Sequence, residues 1–416
     1  MKRTVYLFFL TIIMVNNCIV NAQTNTNSPY SKLGLGDFES MGFGRNAGMG
    51  GCGIALRNEF GLNSLNPASL TALDSQVVIM ELGVHADYTQ LQTANQKGAL
   101  WDGNFSYLAL GFALNNRWFM SFGVAPYTNV GYNIQITTPI SGSIYEYNTA
   151  MEGSGGLSSL YFSGAYKISK LSSIGLNTSL LFGPKNETQT YSLTSDDNFY
   201  VTQKVSNKYA GFKFDLGYQQ TIPLAAKSNL VLGATVNAPG YLHQRQTIFV
   251  TKTDNDGSYV DTLRDEDEIL KKVHFPINFG CGIAYNYKEK LTITMDYSLY
   301  RWSEITIEDQ YSEYINNHSY NLGTEYRLKI KPINKQFDCR AGFTYQSGYL
   351  LVNKQKLQSL GVTTGLGFQI RDVKYNLYAE YNWRGFTNNN MIREDFVRVG
   401  LNISLLDLWF QKRKFH

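Results

Sequence analysis

Beyond its first fifteen residues the sequence has no stretch that is long and apolar enough for a membrane helix, which needs about twenty such residues. Prolines number only nine in 416 residues, so little stands in the way of long strands. Charged residues make up 17%, and the formal charge of +4 loses two units if Lys2 and Arg3 are removed. The remainder is spread along the chain, which leaves no basic surface for a nucleic acid. Cysteine is rare too: apart from Cys18 there are Cys52, Cys281 and Cys339, an odd and widely spaced set with no CxxC or Cys/His spacing. A disulfide framework and a structural zinc site are therefore excluded, while one Cys pair stays open. GxSxG and HExxH are absent, so His85, His243, His274, His318 and His416 read as interface or loop residues and no enzyme is expected. Asp254-Asn255-Asp256-Gly257 hints at a calcium loop, but Lys252 stands where an EF-hand needs an acid. With Asp261, Asp265, Glu266, Asp267 and Glu268 it reads as a solvated acidic loop, and neither a metal nor a cofactor is implied.

The chain begins with Lys2 and Arg3, an apolar run from Val5 to Val15, and Val20-Asn21-Ala22 before Gln23. This is the pattern of a signal peptide over residues 1–22, cleaved near Ala22-Gln23. Asn16-Asn17 ahead of Cys18 does not suit a lipoprotein leader. The composition is rich in Tyr (29) and Gly (37), with 14% aromatic residues, a mixture that fits long strands with aromatic belts.

The dominant signal is alternation with period two, which a strand with two unlike faces produces and a helix does not. Leu291, Ile293, Met295, Tyr297 and Leu299 alternate with Thr292, Thr294, Asp296 and Ser298. The same rule separates Val373, Tyr375, Leu377, Ala379, Tyr381 and Trp383 from Lys374, Asn376, Glu380, Asn382 and Arg384, with Tyr378 the one aromatic on the polar side. Phe212, Phe214, Leu216 and Tyr218, and again Val397, Val399, Leu401 and Ile403, complete the set. Segments of this kind are longer than the five or six residues of a soluble sandwich strand and match the roughly nine to eleven of a tilted membrane strand. About fourteen of them fill residues 76–416, an even number. Connections alternate in length, with short turns at Asn115, Lys170, Pro223 to Ser228, Glu289 and Arg371, and long loops expected at 134–155, 251–270 and 385–394. The fold expected is all-β: a transmembrane antiparallel barrel in a Gram-negative outer membrane. Charge placed at Leu377 should destabilise such a barrel, whereas Asn376→Lys on the inner face is expected to cost little.

Residues 23–75 do not alternate; they are rich in Gly, yet they carry Leu33, Leu35, Ile54, Leu56 and Leu62, too apolar for a solvated linker. They read as a plug in the lumen. The Asn66-Pro67-Ala68 element that follows the glycines and precedes the first strand resembles the plug of the FadL-type transporters of long-chain fatty acids and other hydrophobic compounds. Phe275-Pro276, Gly280, Gly282, Tyr285 and the LTITMDYSLYRWS segment resemble a hairpin of the same family, and Arg340-Ala341-Gly342 with Tyr345 has a similar look. The chain departs from the pattern at its end, Phe415-His416, leaving Trp409 and Phe410 as aromatics for the barrel assembly machinery.

The resemblance implies passive uptake of hydrophobic compounds, gated by Asn66, Pro67 and Ala68 and released sideways into outer membrane lipid. Pro126 interrupts the third strand and cannot donate a ladder hydrogen bond, which reads either as a bulge or, with Gly123 and Gly131, as the lateral port the resemblance implies. The expected contact is between Asn66-Pro67-Ala68 and this irregular strand. Two other readings stay open: a scaffold or carrier barrel bound to another envelope protein, as in type 9 secretion, and a channel for polar solutes.

Overall fold

The computed structural model describes residues 26–39, 42–74, 77–193, 199–224, 227–238, 240–254, 256–304, 313–330, 335–352, 354–385 and 391–408. The leader, its cleavage point, Trp409 and Phe410 lie outside the described residues. Fourteen strands run up and down in chain order. They are β1 (Val77–Gln92), β2 (Lys97–Ala113), β3 (Trp118–Pro139), β4 (Glu146–Lys167), β5 (Ser172–Leu193), β6 (Phe199–Pro223) and β7 (Ser228–Asn237 with Tyr241–Asp254). The second half comprises β8 (Val260–His274 with Asn278–Tyr287), β9 (Leu291–Tyr300), β10 (Asn317–Ile330), β11 (Lys335–Gln346), β12 (Ser359–Ile370), β13 (Val373–Arg384) and β14 (Arg393–Leu408). Neighbours pair antiparallel, and β1 pairs with β14 from Val77 opposite Leu408 to Gln92 opposite Arg393, which closes the cylinder. Closure matters in lipid because an open edge would leave backbone groups without partners.

All four alternating series obey the expected faces. Phe212, Phe214, Leu216 and Tyr218 are 41–55% exposed on the outside, whereas Gln219 is fully enclosed. Tyr378 turns inward against Gly400, where a side chain would collide with its ring. At one end the turns are tight, and Lys227, Lys288, Glu289 and Arg371 adopt positive φ to make them. At the other end the expected loops are shorter than the sequence suggested, because the strands continue. β3 runs to Pro139, β4 starts at Glu146, β7 reaches Asp254, β8 starts at Val260 and β14 at Arg393. Here both faces meet water, so polar residues such as Thr137 and Asn148, joined by a 2.7 Å hydrogen bond, erase the alternation without breaking the ladder. The acidic stretch expected as a loop is thus mostly the upper part of β8, which among the described residues pairs with β7 alone.

The wall is uneven in height. β5 and β6 contain 22 and 25 residues against 10 in β9 and 12 in β12. At roughly 3.3 Å per residue, β3 to β6 rise far above what a bilayer requires.

The outward assignment of β13 carries a direct expectation. Leu377 is 40% exposed on the apolar belt, so Leu377→Arg should destabilise the barrel by about 2–4 kcal/mol in refolding into lipid vesicles, while Leu377→Met should leave it unchanged. Asn376→Lys, by contrast, cannot be the cheap inner-face change that alternation alone suggests. Asn376 is buried, accepts from Arg340 Nη1 at 2.9 Å and donates to Asn402 at 2.7 Å, so a lysine would lose both bonds beside an arginine.

Candidate functional site: the plugged lumen and its lateral seam

The plug reaches the wall because the wall offers it glycine. Met49 and Gly50 lie directly on Gly323 and Gly342 of β10 and β11, where a Cβ would collide with plug backbone, and Gly50 and Gly51 turn there with φ of +66° and +72°. Inward-facing polar residues then take up the plug's backbone groups. Asp296 Oδ2 accepts from Gly53 N (2.6 Å) and Ile54 N (2.8 Å), and Gln219 donates to Ile54 O (2.9 Å). Deeper anchoring is ionic: Arg45 of the plug donates to both oxygens of Glu325 at 2.8 and 2.9 Å, and Arg340 donates to the same carboxylate at 2.7 Å. The negative Glu325 outweighs the desolvation of Arg45 and holds its guanidinium above the ordinary arginine value. Arg57, whose bonds go to Gln219 and Thr71, is instead drawn down to about 10 by burial. Cys52 is enclosed and its thiol is pushed up by burial and by Asp296. All three described cysteines are free.

Asn66, Pro67 and Ala68 form the stiff turn their types suggest. Asn66 is extended (φ −141°, ψ 110°), caps the 3-10 helix Pro67–Ala72 by accepting from Ala68 N at 3.0 Å, and donates to Ile54 O (2.8 Å) and Tyr218 O (3.2 Å). Its surroundings, however, are Gly175 of β5 and Gly217 of β6. Among the described residues no hydrogen bond joins Asn66 to the irregular part of β3, and its amide goes to Ile54 and Tyr218 instead. The helix does share an apolar cluster, through Leu70 and Leu73, with Phe119 at the base of β3.

The third strand has the irregularity, and it is a bulge. Pro126 pairs with Ser158 and Thr128 with Leu157, leaving Tyr127 as the extra residue. Gly123 lies below the bulge, pressed against Leu108 O and Tyr161, and Gly131 lies above it. The ladder between β2 and β3 runs only from Ala113 opposite Phe119 to Leu108 opposite Val124. Above Val124 the two strands part, while β2 continues paired to β1 as far as Lys97. A wall with such a seam would expose an edge, and the plug covers it. Asp37 and Phe38 form a two-residue strand opposite Asn129 and Thr128, Glu39 N donates to Tyr127 O at 3.1 Å, and Ser31 Oγ accepts from Gly131 N at 3.1 Å. Nothing in the sequence around Asp37 announces this pairing, since two residues are too few for a period.

The same plug segment is latched on its other side. Arg384 of β13 donates to both carboxylate oxygens of Asp37 at 2.6 and 2.8 Å and also holds Glu394 and Ser28. Arg398 of β14 forks onto Asp87 at 2.8 Å twice and donates to Glu39 at 3.0 Å. Between mouth and plug lies a cavity of about 320 Å³ with aromatic walls. Phe38 stands edge-on to Tyr127 (5.5 Å), Trp302 (5.1 Å) and Tyr349 (5.5 Å), and Phe275, turned inward where β8 is interrupted, stands 6.1 Å from Tyr127. A second cavity of about 150 Å³ shares Glu39, Tyr127 and Tyr300 with the first and reaches Ser106, Tyr107, Ala125 and Pro126, the residues that flank the seam. The sequence reading missed Asp37, Phe38, Glu39, Trp302 and Tyr349; only Trp302 stood within a motif it had marked.

Comparison with known proteins is consistent with this architecture. A family model described as BamG matches residues 1–416. Among curated proteins none matches the sequence. Solved structures do: the CymD monoaromatic hydrocarbon channel aligns at 14% identity and TM-score 0.61 over 90% of this chain and 100% of that one. The Ralstonia pickettii toluene transporter TbuX aligns at 14% and 0.60 over 88% and 99%, and the P. putida toluene transporter TodX at 15% and 0.61 over 90% and 100%. A Pseudomonas aeruginosa FadL homologue aligns at 12% identity and TM-score 0.58 over 89% of this chain and 98% of that one. At these identities the likeness is one of fold, the FadL-type barrel that the sequence motifs resemble.

Proposed function

Since the chain belongs to the BamG family and has a FadL-type fold, we propose that it is an outer membrane barrel through which hydrophobic small molecules pass without an energy source. Cargo enters the aromatic cavity from outside, passes the latched plug segment Ser31 to Glu39, and leaves sideways into lipid through the seam between β2 and β3. The observation that carries this reading is that residues on both sides of that seam, Ser106 and Tyr107 on one strand and Ala125 and Pro126 on the other, line the smaller cavity. Passage is downhill because each Å² of apolar surface returned from water to hydrocarbon is worth about 25 cal/mol. Monoaromatic hydrocarbons belong to the class of compound that such aromatic walls admit. Gating moves from the expected Asn66-Pro67-Ala68 turn to the strand Asp37–Phe38, with the turn as its fixed support.

The test is uptake of labelled toluene by cells carrying the wild type, Pro126→Val, or a deletion of Tyr127, at equal surface abundance. Regularising β3 should let its ladder with β2 extend upward and slow uptake several-fold. Unchanged uptake in both variants would remove the seam from the mechanism. Wild-type cells no better than cells without the protein would turn the reading to a scaffold or carrier in an envelope complex. One observation favours that second role: the wall of β3 to β6 rises far higher than a bilayer needs, a surface suited to another envelope protein. A stoichiometric partner retained on gentle extraction would support it.

A further inference from the structure

We propose, resting on the transport reading above, that the cargo accepted by this lumen is a hydrogen-bond-donating hydrophobic compound, an aromatic amine in its ammonium form above all, and not a carboxylate. The two cavities are lined by seven acids, Asp37, Glu39, Asp87, Asp215, Asp296, Glu380 and Glu394, and by three strong bases, Lys213, Arg384 and Arg398. Counted formally, with His85 neutral, seven less three leaves four negative charges. Every one of the bases is already engaged: Lys213 by Asp215, Arg384 by Asp37 and Glu394, Arg398 by Asp87 and Glu39. Among the described residues a fatty acid head group would therefore find no free strong base on these walls. Asp296 and Glu380 have no base within 4 Å among the described residues, Glu380 standing opposite Arg398 across the ladder while that guanidinium is spent on Asp87 and Glu39.

Orphaned atoms point the same way. Of the buried polar atoms on the cavity walls that lack a hydrogen-bond partner, Asp296 Oδ1, Asn278 Oδ1 and Asn382 Oδ1 are acceptors, and the remaining one, His85 Nε2, lies 3.7 Å from Asp87 and 3.8 Å from Glu39. Asn382 is 7% exposed and Asp296 2%. Glu380 and Asn382 lie two residues apart on the inward face of β13, joined by a 3.3 Å bond from Asn382 Nδ2 to Glu380 Oε1, which leaves Asn382 Oδ1 open. Both line the upper cavity, together with Phe38, Trp302 and Tyr349. An ammonium would donate to Glu380 and Asn382 while its ring packs on those aromatics, whose faces also attract cations. Unpaired acceptors in a partly dry site make the opposite choice, a carboxylate, repulsive as well as unsatisfied.

The experiment is calorimetric titration of the full-length barrel in lipid nanodiscs with four compounds of one size: benzylamine, benzyl alcohol, toluene and benzoate. Benzylamine should bind about tenfold or more tighter than benzoate, with benzyl alcohol between them, and Glu380→Gln should reduce the amine's advantage over benzoate to about twofold. Glu380→Asp should keep the preference, which separates a charge effect from a loss of fold. Benzoate binding as well as benzylamine, or an amine preference that survives Glu380→Gln, would overturn the inference. Toluene binding and passage without any amine preference would sink this inference alone, whereas neither compound binding would sink the transport reading with it.

Discussion

A disulfide between Phe38→Cys and Thr128→Cys should abolish uptake of hydrophobic compounds, and a reductant should restore it. These two residues are Cα partners across the short ladder that joins the plug to β3. The bond from Glu39 N to Tyr127 O places Glu39 opposite Tyr127 as a hydrogen-bonded pair, so Phe38 and Thr128 are the intervening pair that exchanges no backbone bonds. Such pairs stand about 4.5 Å apart at Cα, within reach of a disulfide without backbone movement. The cross-link would fix the plug strand on the seam, and uptake should fall to the level of cells lacking the protein, at least about tenfold. Cys281 and Cys339 would be replaced by serine beforehand, since Cys281 is exposed and open to mispairing. Each single-cysteine variant should keep uptake well above that of cells lacking the protein, Phe38→Cys at a reduced rate because its ring leaves the cavity wall. A fully cross-linked barrel that still transports at the wild-type rate would show that the strand Asp37–Phe38 is not the moving part.

The second large effect concerns the anchor beneath the gate. Glu325→Leu should destabilise the barrel by about 3–5 kcal/mol, the cost of leaving buried charge without its counter-ion. Here Arg45 loses its one carboxylate partner among the described residues, and Arg340, which has no exposed side-chain surface, keeps only the longer contact to Asp338 at 3.5 Å. The measurement is the urea midpoint for refolding into vesicles. Replacing all three by apolar residues, Arg45→Met, Glu325→Leu and Arg340→Met, should recover most of the loss, because well-packed apolar groups commonly match a buried ion network. The exposed pair Arg264 and Glu266, on the upper part of β8, supplies the control, and Glu266→Ala there should move stability by less than about 1 kcal/mol. A Glu325→Leu variant no weaker than that control would mean that the network does not hold the plug.

These two sites differ in how far the sequence announces them. Glu325 sits on an alternating strand and could be assigned to the inside, but its partner Arg45 lies 280 residues away in a glycine-rich stretch with no period. Asp37 and Arg384 are 347 residues apart, and each reads locally as one more polar residue. The seam is a partial case: Pro126 marks an interruption, and the bulge is where the residues say it is. That β2 and β3 then part above Val124, and that Ser31 to Glu39 cover the edge, depends on a strand of two residues whose sequence is unremarkable by itself. The turn at Asn66-Pro67-Ala68 was legible as a stiff element but its neighbours were not. Its stiffness is a property of Pro67, whereas its place against Gly175 and Gly217 depends on which inward glycines leave room for backbone.

Alternation along each strand, scarce proline and apolar outward series such as Leu291 to Leu299 determine by themselves an antiparallel barrel, its fourteen crossings and which side chains face lipid. They can do so because side-chain direction in a strand has a period of two, a rule that needs no knowledge of the partner. The height of the strands at the mouth escaped that rule, since both faces there meet water and the pattern vanishes while the ladder persists. Only the tertiary structure decided where the plug is latched, which strands part to make the seam, and that the unpartnered polar atoms on the cavity walls are mostly acceptors. Those features are sums over residues brought together from distant parts of the chain, and no local period records such a sum.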